Sequence, residues 1–349
     1  MLSIECTTTH QDRRPYGRME RTCGAVYSTR PVSAPAQNQL KSRDKATIEA
    51  IEASFHTGRL QQAVAQAPQI ERRGPLTVEE FEREYRRRFE PVVIEGLTDH
   101  WPARRTWSFD LLNERCGGAR VIVDSYYSKR ARATTFGEFV AMMRANGPDR
   151  EPIYLQEWLF MADCPFLAND MPELPIAQYD FRRALYGEKI STNHQLWIGQ
   201  KGGVTRLHQD SYIVDVMHAQ IVGEKHWTVL SPTAELRLDA AGELDFDTLA
   251  ADPSVRILSC VLRPGDVLYL PALWWHRVEL LDDSIGLGRK CLDEANLQTH
   301  VRLRIAELLA LALNHEEIRE THPELYQVVV QRNRAWAKLL DIDLSNLRP

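Results

Sequence analysis

The feature that most constrains how this chain can fold is the triplet His208-Gln209-Asp210, paired with a second histidine far downstream, His276. In an extended strand, residues i and i+2 face the same side, so a strand through the triplet aims one imidazole and one carboxylate into a single interior. A second imidazole on a strand lying beside the first completes a face of two histidines and one carboxylate. That is the ligand set of non-haem Fe(II) oxygenases, and it leaves three coordination positions open. His276 is the candidate for this place. It follows the turn signal Pro264-Gly265-Asp266 and the apolar run Val267-Leu268-Tyr269-Leu270, which reads as a buried strand, and it is preceded directly by Trp274-Trp275.

Two flanking stretches extend the pattern. Leu196-Trp197-Ile198-Gly199 leads into Thr205-Arg206-Leu207-His208, and Ala219-Gln220-Ile221-Val222-Gly223-Glu224-Lys225-His226-Trp227 follows the triplet. These segments resemble the jumonji-C family, the cupin-like 2-oxoglutarate oxygenases. The resemblance runs over residues 75–290. Its upstream end, Pro75-Leu76-Thr77 with Phe81, then Pro91-Val92-Val93-Ile94-Glu95-Gly96, Trp101-Pro102-Ala103 and Trp107, is similar to the entry pattern of the hydroxylase branch and its bacterial relatives.

The resemblance implies a cosubstrate site. 2-Oxoglutarate chelates iron through its C1 carboxylate and C2 ketone. Its far carboxylate must be met by a fixed cation and hydroxyls, because an unpaired buried charge is costly. Lys225, in the turn-to-strand position after Gly223, is the cation the resemblance implies, with Thr205 and Tyr154 as hydroxyl partners. A solvated lysine at a hairpin rim and a core tyrosine are the plain alternatives. Where relatives continue after the distal histidine with Thr and Asn near the cosubstrate, this chain has Ser284-Ile285-Gly286-Leu287-Gly288-Arg289-Lys290. The glycines either enlarge the pocket, or Arg289 or Lys290 brings a charge to its wall. His218 is either a cosubstrate contact or a packed core histidine, and His226, next to Lys225, points the other way.

Composition bounds the rest. A chain of 349 residues with 44% hydrophobic and 26% charged residues can bury a large core, and a net charge of -5 argues against a general nucleic-acid binder. Cys6, Cys23, Cys116, Cys164, Cys260 and Cys291 show no zinc spacing and fit reduced thiols. No segment approaches the length of a membrane span, and the N-terminus has no apolar signal region, so the expected compartment is the cytoplasm.

Four segments are expected: an arm over 1–43, a helical lead-in over 44–74 with a helix from Asp44 to Ala65, a catalytic domain over 75–290, and a helical segment over 291–349. Thr77 and Glu80 make a capping box before Phe81 and Tyr85. Further helices are expected over Ser108–Arg115, closed by Gly117, and over Thr135–Met143, where Phe136, Phe139, Val140 and Met143 share a face. The rest to about residue 290 reads mostly as strands and loops. The fold class is mainly β with flanking helices, a double-stranded β-helix, or jelly-roll, of about eight strands. Val301, Ile305, Leu308, Leu309 and Ala312, then Leu325, Val328, Val329, Trp336, Leu339 and Leu340, recur at helical spacing. In the hydroxylase branch such helices dimerise, so a homodimer is expected. The function implied is Fe(II)-, 2-oxoglutarate- and O2-dependent hydroxylation of a peptidyl side chain. The alternatives are a free amino acid or natural-product substrate, demethylation where the hydroxylated carbon is an N-methyl, and a metal-binding cupin without turnover.

Overall fold

A computed structural model describes residues 45–124, 131–147, 149–177, 194–210 and 213–293, with a few isolated positions besides. The expected N-terminal arm and nearly all of the expected C-terminal helical segment, Trp336 included, lie outside the described residues.

The lead-in forms two helices, α1 (Lys45–Ser54) and α2 (Gly58–Ala65), rather than one. Gly58 sits at φ 73°, a left-handed conformation that a continuous helix cannot carry. The other helices start where their caps are written. In α3 (Val78–Glu84) the Thr77 hydroxyl accepts from the backbone N–H of Glu80, whose carboxylate accepts in return from the backbone of Thr77. Ser108 caps α4 (Phe109–Cys116), and Thr135 with Glu138 makes a second box at α5 (Phe136–Ala145). Gly117 closes α4 in a right-handed conformation. The predicted face of α5, Phe136, Phe139, Val140 and Met143, is buried as its spacing requires.

Thirteen strands are found among the described residues: β1 (Arg72–Arg73), β2 (Val92–Ile94), β3 (Arg120–Val123), β4 (Arg132–Thr135), β5 (Tyr154–Trp158), β6 (Gln195–Gly199), β7 (Val204–His208), β8 (Asp215–Val222), β9 (Lys225–Leu230), β10 (Ile257–Leu262), β11 (Val267–Leu270), β12 (Trp275–Leu280) and β13 (Ser284–Cys291). They form a nine-stranded sheet, β1-β2-β11-β8-β13-β6-β5-β3-β4, and a four-stranded sheet, β10-β9-β12-β7. The eight strands expected of a jelly-roll are β6 to β13, four in each sheet. The upstream strands extend the larger sheet at both edges.

Period-two alternation builds three packed layers. Between the sheets, Val93, Val216, Leu268 and Leu270 meet Trp227, Val229, Leu258, Leu262 and Val278. On the far face of the larger sheet, Met217, Ala219 and Ile221 of β8, Val267 and Tyr269 of β11, and Ile285 and Leu287 of β13 pack with Phe81 of α3 and Phe136 and Phe139 of α5. On the far face of the smaller sheet, Leu207, Leu230 and Trp275 pack with Ile51, Phe55 and Leu60 of the lead-in. Each fully buried side chain of this kind contributes about 1.5–3 kcal/mol. Among the described residues no helix is long and apolar enough to cross a membrane.

Candidate metal centre and anion pocket

His208 ends β7 and pairs across the ladder with His276 near the start of β12. Their rings lie 4.1 Å apart, centroid to centroid. Asp210 falls just past the strand rather than within it, because the β7 ladder stops at His208. The connection is held by Gln209, whose amide donates to the Leu273 carbonyl at 2.6 Å. Asp210 nonetheless reaches the histidines: its Oδ2 lies 3.8 Å from His276 Nε2, and one ligand atom from each of His208, Asp210 and His276 lies within 4.8 Å of the others.

The imidazoles are oriented by their own backbone. Nδ1 of His208 lies 2.8 Å from the Arg206 carbonyl and Nδ1 of His276 lies 3.1 Å from the Trp274 carbonyl. With Nδ1–H donating there, each Nε2 is left with its lone pair for a metal. Burial, then His208, pushes His276 down to about 3, so it is neutral as a ligand must be. Burial works against charge on Asp210, but the Lys290 ammonium first, then His276 and His208, outweigh it and hold the carboxyl below the usual range.

Beside this cluster the interior has a second polar region. Lys225 opens β9 with its side chain turned inward and fully buried, and its Nζ has no hydrogen-bond partner among the described residues. Burial alone pulls its ammonium down to about 7. The Thr205 hydroxyl lies 3.4 Å from the Tyr154 hydroxyl, and Lys225 Nζ lies 5.9 Å from the Tyr154 ring centre. His218 packs between Trp197 and Trp227, and its Nε2 also lacks a partner among the described residues. An unpaired buried ammonium next to an unpaired imidazole nitrogen and two hydroxyls is a cradle for a carboxylate.

The glycines of β13 do not widen the pocket. A Cβ on Gly286 would stand 2.4 Å from His218 Nε2 and 2.7 Å from Lys225 Nζ, and one on Gly288 would stand 2.3 Å from the Trp197 ring. They are the space into which those side chains fit. Of the two charged candidates after them, Lys290 turns inward, 3.0 Å from Asp210 Oδ1, whereas Arg289 turns away to Glu173 and the Ala177 carbonyl. His226 lies on the other face of β9 from Lys225, as expected. Sequence reasoning missed Gln156 and Glu157 on β5: Gln156 Oε1 lies 3.5 Å from the Thr205 hydroxyl, and Glu157 Oε1 lies 3.4 Å from Lys290 Nζ.

Two histidines and one carboxylate as neutral and anionic N/O donors suit Fe(II), and the orphaned Lys225 suits an anionic partner beside it. Comparison with known proteins agrees. The chain is 27% identical to the Lysine-specific demethylase JMJ21 of Arabidopsis thaliana, over 73% of this chain and 30% of that protein. It is 31% identical to the Lysine-specific demethylase JMJ30 of Arabidopsis thaliana, over 63% and 54%. It is 22% identical to the 2-oxoglutarate and iron-dependent oxygenase JMJD4 of Mus musculus, over 67% and 62%. It therefore spans between about a third and two thirds of the length of these relatives, and since all three are eukaryotic they lend no support to a bacterial-type assignment. The model of the cupin-like domain family matches residues 78–289, more than half of the chain and the jelly-roll strands as far as Arg289 in β13, and the chain belongs to that family.

Proposed function

We propose that the protein is an Fe(II)- and 2-oxoglutarate-dependent oxygenase that hydroxylates a C–H bond of a peptidyl or protein side chain. The observation that carries this reading is the convergence, inside one barrel, of His208, Asp210 and His276 with the unpartnered Lys225. A metal-binding cupin without turnover has use for the triad but none for a buried lysine that lacks an anion. Relatives named as demethylases and as an oxygenase support the oxygen-dependent class and a protein substrate. Demethylation would follow from the same hydroxylation at an N-methyl carbon.

His208, Asp210 and His276 would hold Fe(II) by one face, leaving the opposite face for the cosubstrate and O2. Iron, 2-oxoglutarate and O2 together supply the oxidation, in which 2-oxoglutarate becomes succinate and carbon dioxide and C–H becomes C–OH. The chain's own part is placement. Lys225, with the hydroxyls of Thr205 and Tyr154, receives the far carboxylate of 2-oxoglutarate and so points its keto acid end at the triad. Burial raises the Tyr154 hydroxyl, so it stays a neutral donor. Trp227, 25° from parallel to the His276 ring at 5.8 Å, and Trp197 over Gly288 keep the site dry. The jelly-roll over 75–290 is the catalytic unit in this reading.

Succinate release from 2-oxoglutarate in the presence of Fe(II), with His208→Ala as the control, tests the reading. Release by the wild-type chain and none by the variant supports it. Equal rates in the two would remove the triad from the mechanism. A mass gain of one oxygen on a peptide, as against a free amino acid, then assigns the substrate class.

A further inference from the structure

Lys290 has no part in the proposed chemistry, yet its ammonium lies 3.0 Å from Oδ1 of Asp210, while Oδ2 faces His276 Nε2 at 3.8 Å. The two oxygens of one carboxylate are thus divided between a cation and the histidine pair. Lys290 arrives there by strand period: it shares the inner face of β13 with Gly286 and Gly288, whereas Ile285 and Leu287 join the outer core. Behind it stands Glu157, with Oε1 3.4 Å from Nζ. Glu157 reaches this place because β5 is irregular. Its register with β6 shifts between Leu155 and Trp158, and Glu157 adopts φ 52°. An extra residue in a strand re-aims a side chain. Here it lets Gln156 and Glu157, neighbours in sequence, both find partners on the inner side while Trp158 returns to the outer core. Left-handed backbone at a glutamate is strained, and strain of this kind persists where surrounding structure enforces it.

We propose that Lys290 is a positioning residue for the metal: it pins Oδ1 of Asp210 so that the carboxylate presents a single oxygen, and Glu157 holds Lys290 in turn. The proposal rests on the reading of the triad as an iron site. A carboxylate free to rotate can chelate with both oxygens and take a further coordination position. Pinning one oxygen keeps three positions open, two for a chelating 2-oxoglutarate and one to spare. The lysine and glutamate side chains are 19% and 24% exposed, so the pair is screened less than a surface pair. Besides the charge that holds the Asp210 carboxyl down, the ammonium fixes the direction in which the carboxylate points, and the proposal concerns that direction.

The test is a Co(II) titration followed by visible absorption, which reports both affinity and coordination without turnover. Lys290→Met is expected to weaken Co(II) binding on the order of ten- to a hundred-fold, the usual range for a lost outer partner of a metal ligand, and to change the spectrum. Glu157→Gln should move both readouts the same way by less, and Lys290→Arg should restore most of the affinity. Should Lys290→Met fail to fold by circular dichroism, Lys290→Gln makes the same comparison with a polar head. Wild-type affinity and an unchanged spectrum in the Lys290 variant, or tighter binding, would overturn the proposal and leave the iron reading standing. A wild-type chain that takes up no Co(II) would instead overturn the iron reading itself.

Discussion

Two parts of the same barrel interior are built by opposite rules. Where β10, β9 and β11 face one another, the apolar side chains of Val229, Leu258, Leu262, Leu268 and Leu270 fill the space. Where β7 and the residues just after it, β8, β12, β13 and the start of β9 line it, the wall carries His208, Asp210, His276, Lys225, His218 and Lys290, two of them with buried nitrogens that have no partner among the described residues. Trp227 touches both parts: it belongs to the apolar cluster, meets His218 edge-on and stacks on His276. The first part stabilises the fold. The second costs stability, and a cost of that kind is kept where a ligand repays it.

The comparison breaks most visibly at the candidate metal ligands His208 and Asp210. His208→Ala or Asp210→Ala should abolish turnover while the melting temperature stays close to wild type, because neither side chain belongs to the apolar core between the sheets. A large loss of stability in either variant, followed by calorimetry, would mean that the polar part is structural after all.

Next in size is Lys225→Met. It removes the cation that would meet a carboxylate, and leaving one partner of a buried pair alone costs about 3–5 kcal/mol, so 2-oxoglutarate affinity should fall by roughly two to four orders of magnitude. The same substitution takes an unpaired amine out of a fully buried site and should raise the unfolding free energy by on the order of 1 kcal/mol or more. Loss of binding with gain of stability is the signature of the polar part. In the apolar part the effects reverse: Leu268→Ala, at a fully buried position, should lower stability by about 2–5 kcal/mol and leave the turnover of the folded protein near wild type.

A smaller effect follows from pH. Burial pulls Lys225 down to about 7, and a carboxylate binds its charged form. Below pH 7 the amine already carries its proton and 2-oxoglutarate affinity should be flat. Above it a proton must be taken up on binding, and the apparent Kd should rise by up to about tenfold per pH unit. Stability moves the other way. The unfolded lysine keeps its proton to near its ordinary 10.5, so from pH 7 to that value the unfolded chain binds more protons than the folded one, and this residue's contribution to stability rises with pH. Titrations at several pH values, compared with Lys225→Met, isolate this slope.

What the sequence disclosed divides along the same line. The triad was legible because i, i+2 spacing and a Pro-Gly-Asp turn before an apolar strand are local signals with one geometric meaning. The helix cap at Thr77 was legible for the same reason, while the matching box of Thr135 and Glu138 was found only in the structure. The fate of the β13 wall was not, since a glycine records only that space is needed and not that His218, Lys225 and Trp197 would fill it. Nor was Glu157: the irregularity of β5 that turns it inward leaves no mark in Tyr154-Leu155-Gln156-Glu157-Trp158, which reads as a plain strand. The break of the lead-in helix at Gly58 was visible as a residue but not as a decision, because helices tolerate single glycines when packing favours them.

The most direct measurement of the central claim is an anaerobic calorimetric titration of 2-oxoglutarate into the protein, with and without a divalent metal at the triad. The polar part of the barrel, as described, predicts one 2-oxoglutarate per chain, tight binding only when metal is present, and loss of that binding in Lys225→Met. Binding of equal strength without metal, or no binding in either condition, would contradict it.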